Sequence, residues 1–283
     1  MNLTRRTVVT TAVALLAMGS ATGGANADTL MDRAQGDGLR VAFYNFKPFS
    51  YEDGNGNITG TDVETLRIVL ERMGGKVDTL SNTDWGALIP GLKANRFDVV
   101  AAGMYITPER CAEVQFSEPL FGMQQGFIVA AGNPKGLSNY ESVAATGALL
   151  GVVPGTAQEG YASRAGVASD KIFGFPDNPT GIAALLAGRI DVWGISGPSA
   201  REIIASTPGG GLEAVPPFAE VAGKIRVSHG AFAFRPEDSA FVEAFNVELK
   251  KFTSSPEYVK LLEAHGLTAD ELPLQDTATL CAE

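Results

Sequence analysis

The sequence has few of the residues from which most catalytic and metal sites are built. Its 283 residues include only two cysteines and two histidines. His229 and His265 stand in unrelated stretches, and neither cysteine has a second cysteine or a histidine at metal-ligand spacing. The sequence contains no Ser-His-Asp or Cys-His set and no glycine-rich phosphate loop. We therefore predict no metal, no cofactor and no catalytic residue, and expect a protein that is not an enzyme.

Basic residues are also scarce. Lysine and arginine number 22 against 32 acidic residues, so the formal net charge is −10. The acidic residues are scattered rather than collected in one run, which is typical of a solvated surface. This balance disfavours nucleic acid and anionic membranes as partners.

Long apolar runs are absent except at the amino terminus. There, Arg5 and Arg6 precede an apolar stretch over residues 8–18, and small residues continue to Ala27. A basic start, a short apolar run and an A-x-A site are typical of a secretory signal peptide, whereas a membrane span needs about 20 apolar residues. We predict a signal peptide over residues 1–27 with cleavage after Ala27. The sequence does not distinguish between the possible export routes.

The two cysteines are Cys111 and Cys281. In an exported chain, an even number of widely separated cysteines favours a disulfide. We predict this bond, with a metal site as the weaker alternative.

Short apolar runs alternate with helical patterns along the rest of the chain. Such alternation predicts parallel sheets with crossover helices, and the pattern restarts after residue 131. We predict an α/β fold of two lobes, each a mostly parallel sheet flanked by helices, joined by two crossing strands. Lobe 1 is predicted over 28–131 and 229–283, and lobe 2 over 132–228. The predicted strands are 39–43, 77–80, 97–102, 126–130, 149–153 and 190–194, and the predicted helices are 62–72 (capped by Thr61 or Asp62), 85–94, 155–164, 180–187, 240–251 and 256–264.

Seven short motifs, spread over nearly the whole mature chain, carry a resemblance to a known family. In order, they are Pro48-Phe49-Ser50-Tyr51, Gly60-Thr61-Asp62-Val63, Asp98-Val99-Val100-Ala101-Ala102-Gly103, Ile106-Thr107-Pro108-Glu109-Arg110, Phe116-Ser117-Glu118-Pro119, Gly155-Thr156-Ala157-Gln158 and Gly188-Arg189-Ile190-Asp191-Val192. The sequence resembles the periplasmic solute-binding proteins of the polar amino-acid uptake family, family 3. The resemblance implies the type II periplasmic binding protein fold. It further implies a periplasmic monomer that captures a small solute and delivers it to an inner-membrane ABC permease.

The resemblance assigns Arg110 to the solute carboxylate, with Thr107 beside it. A guanidinium can hold a carboxylate by two parallel N–H bonds, which a lysine cannot do. From the other lobe, Thr156 and the backbone N–H groups around Ala157 can donate to the same carboxylate at a helix start. The alternative is a surface arginine paired with neighbouring glutamates.

The sequence departs from its relatives at Ser196. Amino-acid binders of the family usually carry an aspartate here for the α-ammonium, and a serine cannot neutralise that charge. Aromatic faces, which attract diffuse cations, are the predicted substitute, with core packing as the alternative. The candidate rings are Phe46, Phe49, Tyr51, Trp85 and Tyr105.

An arginine for a carboxylate and an aromatic cage for a diffuse cation suit a small zwitterion. The stretch from Ala101 to Cys111, with a cysteine near the carboxyl terminus, most resembles the ectoine- and hydroxyectoine-binding subfamily. Glu159 or Asp84 are the candidate acidic partners of the cation. A polar amino acid or a betaine-like solute is the alternative ligand. An exported dehydratase of the cyclohexadienyl type on the same fold is a weaker alternative, as is a sensory domain, which would need a fused signalling segment.

Overall fold

The computed structural model describes residues 29–207 and 209–282. The predicted signal peptide and its cleavage site lie outside these residues. Within them, no helix combines the length and the apolar character that a membrane crossing requires.

The strands are short, and most are apolar. In chain order they are β1 Leu39–Phe43, β2 Tyr51–Glu52, β3 Ile58–Thr59, β4 Val77–Asn82, β5 Val99–Val100, β6 Gln115–Phe116, β7 Phe121–Met123, β8 Gln125–Ala130, β9 Leu150–Val152, β10 Ile172–Gly174, β11 Val192–Ser196, β12 Leu212–Ala214, β13 Glu220–Val221, β14 Lys224–Ile225, β15 Ser228–Gly230 and β16 Ala233–Phe234.

The helices lie between these strands and at the carboxyl end. They are α1 Leu30–Gln35, α2 Thr61–Arg72, α3 Leu88–Lys93, α4 Pro108–Cys111, α5 Tyr140–Thr146, α6 Ala157–Arg164, α7 Asn178–Leu186, α8 Gly197–Ser206, α9 Ser239–Thr253, α10 Pro256–Ala264 and α11 Thr277–Ala282, with 3-10 turns at Trp85–Ala87, Ser169–Lys171, Pro236–Asp238 and Ala269–Glu271.

The first sheet has the order β4-β1-β5-β16-β6 and defines lobe 1. β1 runs parallel to β4 and β5, while β16 is antiparallel to both of its neighbours. Four of the five residues of β1 are buried, as expected for a strand covered on both faces by helices. The carboxyl ends of β1 and β5 therefore open onto one edge of the lobe, where ligands bind in open α/β sheets.

The second sheet has the order β10-β9-β11-β8-β12 and defines lobe 2. β9 is parallel to β10 and β11, whereas β8 is antiparallel to β11 and β12. The predicted exit from lobe 1 after residue 131 is therefore wrong, because β8 already belongs to the second sheet and the chain has changed lobes before Gln125. An apolar strand such as β8 fits either sheet, so its sequence alone does not reveal its partners.

Two crossing strands link the lobes. β7 leaves lobe 1 and β15 returns to it, and the two pair antiparallel with Phe121 opposite Gly230. Tyr105 also forms a bridge to Gly230, so the loop after β5 is attached to the crossing strands. The two-lobed α/β architecture predicted from the sequence is confirmed.

A disulfide joins Cys111 to Cys281, as predicted, with 5.7 Å between the Cα atoms. It connects α11, near the carboxyl end, to the short helix α4. Because α4 also carries Arg110, the bond anchors the element that presents this arginine.

Candidate ligand-binding site

A cavity lies between the lobes, at the ends of β1 and β5 on one side and of β9 and β11 on the other. It contains about 430 Å³ of space not occupied by protein atoms, counting its mouth. The lining residues are Tyr44, Phe46, Trp85, Gly103, Tyr105, Arg110, Val153, Thr156, Ala157, Gln158, Asn178, Gly194 and Ile195.

Arg110 is the cationic residue of this lining. One Nη donates to the backbone oxygen of Tyr105 at 2.8 Å, and the other donates across the cleft to the oxygen of Gly155 at 3.1 Å. Its guanidinium carbon lies 5.4 Å from the centre of the Trp85 ring. Burial lowers the pKa of Arg110 to about 10, so the group remains charged at neutral pH. A half-buried guanidinium held in this way is ready to pair with an anion.

The start of helix α6 faces the same part of the cavity. Thr156 is its N-cap, and the Thr156 hydroxyl donates to the oxygen of Val153 at 2.7 Å. The first N–H groups of a helix have no partner within it and favour anions. Gly155 precedes this start with φ of +76°, a conformation that favours glycine. Arg110 from lobe 1 and the α6 start from lobe 2 thus present hydrogen-bond donors to the same part of the cavity.

Three aromatic rings form the cavity wall beside Arg110. Tyr44 lies 6.3 Å from Phe46 and 5.8 Å from Trp85 between ring centres. The Trp85 Nε1 donates to the oxygen of Gly155 at 3.1 Å, and the Tyr44 hydroxyl donates to the oxygen of Pro176 at 2.9 Å. Both bonds cross from lobe 1 to lobe 2, so the wall is completed only when the lobes meet.

Tyr105 and Gln158 form the polar floor. Tyr105 is buried, and its hydroxyl has no hydrogen-bond partner. The Gln158 Nε2 donates to the Gln125 Oε1 at 3.0 Å, and the Gln125 Nε2 donates to the Ser228 hydroxyl at 2.9 Å. This chain of buried amides runs from the cavity to the crossing strand β15.

Gly103 forms the remaining lobe 1 edge and is held by Asp62. The Asp62 carboxylate accepts the Gly103 N–H at 2.7 Å. Gly103 has φ of +63°, and a Cβ there would lie 2.8 Å from the Phe49 ring. The sequence predicted Thr61 or Asp62 as the cap of α2, but the cap position is Gly60, and Asp62 instead fixes the cavity loop.

Replacing Asp62 with asparagine should change how stability depends on pH. Burial raises the pKa of Asp62 from 3.8 to about 7, so between about pH 4 and pH 7 the folded protein binds a proton that the unfolded chain has lost. The stability of the natural protein relative to Asp62→Asn should therefore fall as pH rises through this window and level off above it. Denaturant unfolding of both proteins from pH 4 to pH 8 measures this difference. A constant difference would show that Asp62 does not titrate there.

Six of the ten residues predicted to contact the ligand line the cavity: Phe46, Trp85, Tyr105, Arg110, Thr156 and Ala157. Phe49 lies instead in the lobe 1 core, with its ring centre 4.7 Å from that of Phe121. Tyr51 lies outside the cavity lining, and its hydroxyl is 3.3 Å from Nδ1 of His265.

Thr107 and Ser196 act as helix caps rather than as lining residues. The Thr107 hydroxyl accepts the Arg110 N–H at 3.4 Å at the start of α4. The Ser196 hydroxyl accepts the Ser199 N–H at 3.3 Å at the start of α8, and Ser196 is fully buried. Thr107 thus orients the element that carries the arginine, while Ser196 lies behind the cavity floor.

The sequence-based assignment missed several lining residues: Tyr44, Gly103, Val153, Gln158, Asn178, Gly194 and Ile195. Tyr44 directly follows β1, and Asn178 is the first residue of α7. Their positions at a strand end and a helix start are the signal that could have identified them.

The acidic residues considered for the cation do not line the cavity. The Glu159 carboxylate accepts the Gly155 N–H at 2.8 Å. Asp84 lies in the adjoining cleft together with Asp177, and both charges contribute to raising the pKa of Tyr44, after burial, which is the main cause. Among the described residues, no group of three or more potential ligands could hold a metal ion.

Two lobes around a cavity lined by an arginine and aromatic rings define a solute-binding protein of the type II periplasmic fold. The chain belongs to the bacterial extracellular solute-binding proteins, family 3, whose family model matches residues 39–268.

Three related proteins, two binding proteins and one enzyme, show the range of functions among its relatives. The chain is 34% identical over 251 residues to a probable amino-acid ABC transporter periplasmic-binding protein, y4tE, of Sinorhizobium fredii, covering 86% of this chain and 83% of the relative. It resembles the crystal structure of EhuB in complex with hydroxyectoine, with a TM-score of 0.81 and 33% identity over 89% of this chain and 97% of that one. It is 29% identical over 167 residues to the cyclohexadienyl dehydratase of Pseudomonas aeruginosa, covering 58% of this chain and 59% of the enzyme.

The chain is therefore the solute-binding component of an ABC transporter for amino acids or related solutes. Its relatives are periplasmic, which implies an exported protein. The family and the more similar relatives are binding proteins, consistent with a chain that is not an enzyme.

Proposed function

We propose that this protein binds the compatible solute ectoine or hydroxyectoine and delivers it to an ABC permease. The supporting observation is the composition of the cavity lining, which combines one arginine and three clustered aromatic rings and includes no acidic residue. An α-ammonium is a compact charge that is costly to bury without an anionic partner. Ectoine carries a carboxylate and an amidinium spread over two nitrogens, so aromatic faces suit its cation better.

The two ends of the solute would then bind to different parts of the cavity. Its carboxylate would pair with Arg110 and with the N–H groups at the start of α6. Its amidinium would lie against Tyr44, Phe46 and Trp85. Because Arg110 and Trp85 both donate to Gly155 across the cleft, the solute would be held where the lobes already meet. The likeness to EhuB, which was crystallised with hydroxyectoine, favours the same solute class.

Calorimetric titration of the purified mature protein tests this proposal. The panel is ectoine, hydroxyectoine, glycine betaine, glutamine and arginine, after removal of any ligand that copurifies. We expect one molar equivalent of ectoine or hydroxyectoine to bind with a Kd of about 1 μM or lower, which corresponds to about −8 kcal/mol. Glycine betaine, which has no planar ring, should bind more weakly. Tight binding of glutamine or arginine, without a response to either ectoine, would contradict the proposal.

We also propose that the protein works as a monomer whose amino-terminal 27 residues are removed on export. Mass spectrometry of the exported protein measures the cleavage site, and light scattering measures the oligomeric state. A mature chain that begins at Asp28 and a monomer mass with and without solute are the expected results.

A further inference from the structure

The Tyr105 hydroxyl is a buried donor that the protein leaves unpaired. Tyr105 is 5% exposed, lines the cavity and has no partner for its hydroxyl. Burial raises the pKa of Tyr105 above its ordinary value, so the group is a neutral O–H donor at physiological pH. Buried donors are nearly always paired in native proteins, and an exception calls for a ligand or another explanation.

The neighbouring side chains are committed to other bonds. Gln125, Gln158 and Ser196 surround the hydroxyl. The Gln125 oxygen already accepts from Gln158, and the Ser196 hydroxyl bonds with Ser199 at 2.9 Å. The Ser199 hydroxyl in turn donates to the oxygen of Lys47 at 2.7 Å, across the cleft. In this arrangement none of these oxygens accepts the Tyr105 O–H, so an acceptor on the solute can supply the missing partner.

Two of the three side chains around this donor belong to strands other than the one that leads into the α6 start, where the solute carboxylate is proposed to bind. The α6 start follows β9, whereas Gln125 begins β8 and Ser196 ends β11. In the sheet order, β11 lies next to β9, and β8 lies one strand further. The third side chain, Gln158, is the second residue of α6, and it extends from the helix start to Gln125, whose Oε1 accepts its Nε2 at 3.0 Å. Beside Gln125 of β8 and Ser196 of β11, the acceptor that suits Tyr105 is a substituent other than the carboxylate that Arg110 would hold.

We propose that Tyr105 and Gln158 form a subsite for a hydroxyl group on the solute, so that the protein prefers the hydroxylated form of its cyclic zwitterion. This inference rests on the proposed function. The oxygen of a solute hydroxyl accepts the Tyr105 O–H, and the same hydroxyl donates its hydrogen to the side-chain oxygen of Gln158, Oε1. A site built around such a group discriminates against the analogue that lacks it, because the protein's polar groups then stay buried and unpaired.

The test is the ratio of the Kd values for ectoine and hydroxyectoine, measured by calorimetry in the natural protein and in Tyr105→Phe. We expect the natural protein to bind hydroxyectoine about ten-fold more tightly, the effect of one hydrogen bond. Tyr105→Phe should lose this preference because hydroxyectoine binding weakens, while ectoine binding stays equal or improves slightly. The control is Tyr44→Phe, which removes a hydroxyl bonded to Pro176. It should weaken the binding of both solutes alike and preserve the ratio.

Equal weakening of both solutes in Tyr105→Phe would overturn the inference, because the hydroxyl would then contact a group that the two share. Unchanged binding of both would also overturn it, since Tyr105 would be satisfied within the protein. Either result leaves the proposed function intact. If the natural protein binds neither solute, the proposed function fails and the inference fails with it. Thermal melting shows whether each variant is folded.

Discussion

Arg110→Ala should weaken solute binding at least 100-fold. The guanidinium is the cation of the cavity lining, and hydrogen bonds between a charged pair are each worth about 1.5–3 kcal/mol. Two parallel bonds to one carboxylate therefore account for a loss of about 3 kcal/mol or more, since each factor of ten corresponds to about 1.4 kcal/mol. Titration calorimetry with the solute that binds the natural protein measures the loss.

The fold itself should survive this substitution. Arg110 makes hydrogen bonds to two backbone oxygens, and its side chain is only half-buried. Losing them should lower the free energy of unfolding by about 1–3 kcal/mol, which a denaturation curve measures separately from binding.

Two further variants sharpen the interpretation. Arg110→Lys keeps the charge but loses the planar fork, so it should bind more tightly than Arg110→Ala and more weakly than the natural protein. Arg164→Ala removes an arginine of α6 that stacks on Tyr161, 5.1 Å from the ring centre, and lies outside the cavity lining. Its affinity should stay within about three-fold of the natural value, the range of a surface substitution. If Arg110→Ala bound as tightly as Arg164→Ala, the carboxylate site would have to be elsewhere.

The sequence allowed the fold to be predicted because its periodicity is strong. The apolar residues of α2 recur at helical spacing, and the helix ends at Arg72 as expected. The predicted helix over 256–264 coincides with α10, which Ser255 caps. In both cases local signals and tertiary packing favour the same structure, and this agreement makes such elements predictable.

The lobe boundary and the role of Phe49 depend on tertiary contacts instead. β8 is an apolar strand that either sheet could accommodate, and pairing with β11 decides its lobe. Phe46 and Phe49 lie three residues apart in the same loop, yet only Phe46 lines the cavity. Packing of Phe49 against Phe121 and Gly103 decides this difference, and all of these contacts are distant in sequence.

In the candidate site, too, some features follow from local sequence and others depend on tertiary contacts. Arg110 could be proposed from the family motif Thr-Pro-Glu-Arg, and the structure places it in the cavity lining. Its second bond, to Gly155 in the other lobe, could not be foreseen. Tyr105 was predicted to offer its ring face to a cation, but the distinctive group is its unpaired hydroxyl. Hydrogen-bond satisfaction is a property of the assembled cavity, so no local sequence signal carries it.

Removing the disulfide should destabilise the protein strongly and affect affinity only slightly. The bond joins residues 170 positions apart, and closing such a loop contributes up to about 5 kcal/mol in the chain-entropy model. We expect the double variant Cys111→Ser, Cys281→Ser to lose about 2–5 kcal/mol of unfolding free energy, the usual range for a natural disulfide. Urea denaturation monitored by circular dichroism measures this loss.

The single variants and the reduced natural protein together separate the effect of the covalent bond from that of sulfur packing. Cys111→Ser and Cys281→Ser should each lose about as much stability as the double variant, because either one breaks the same covalent link. Reduction of the natural protein, which keeps both sulfur atoms, should give a similar loss. Solute affinity should fall only a few-fold, since Thr107 still caps α4 and Arg110 still bonds to Tyr105 and Gly155. If the reduced protein kept its full stability, the tail would be held by the packing of α11 on α4, and the covalent bond would add nothing.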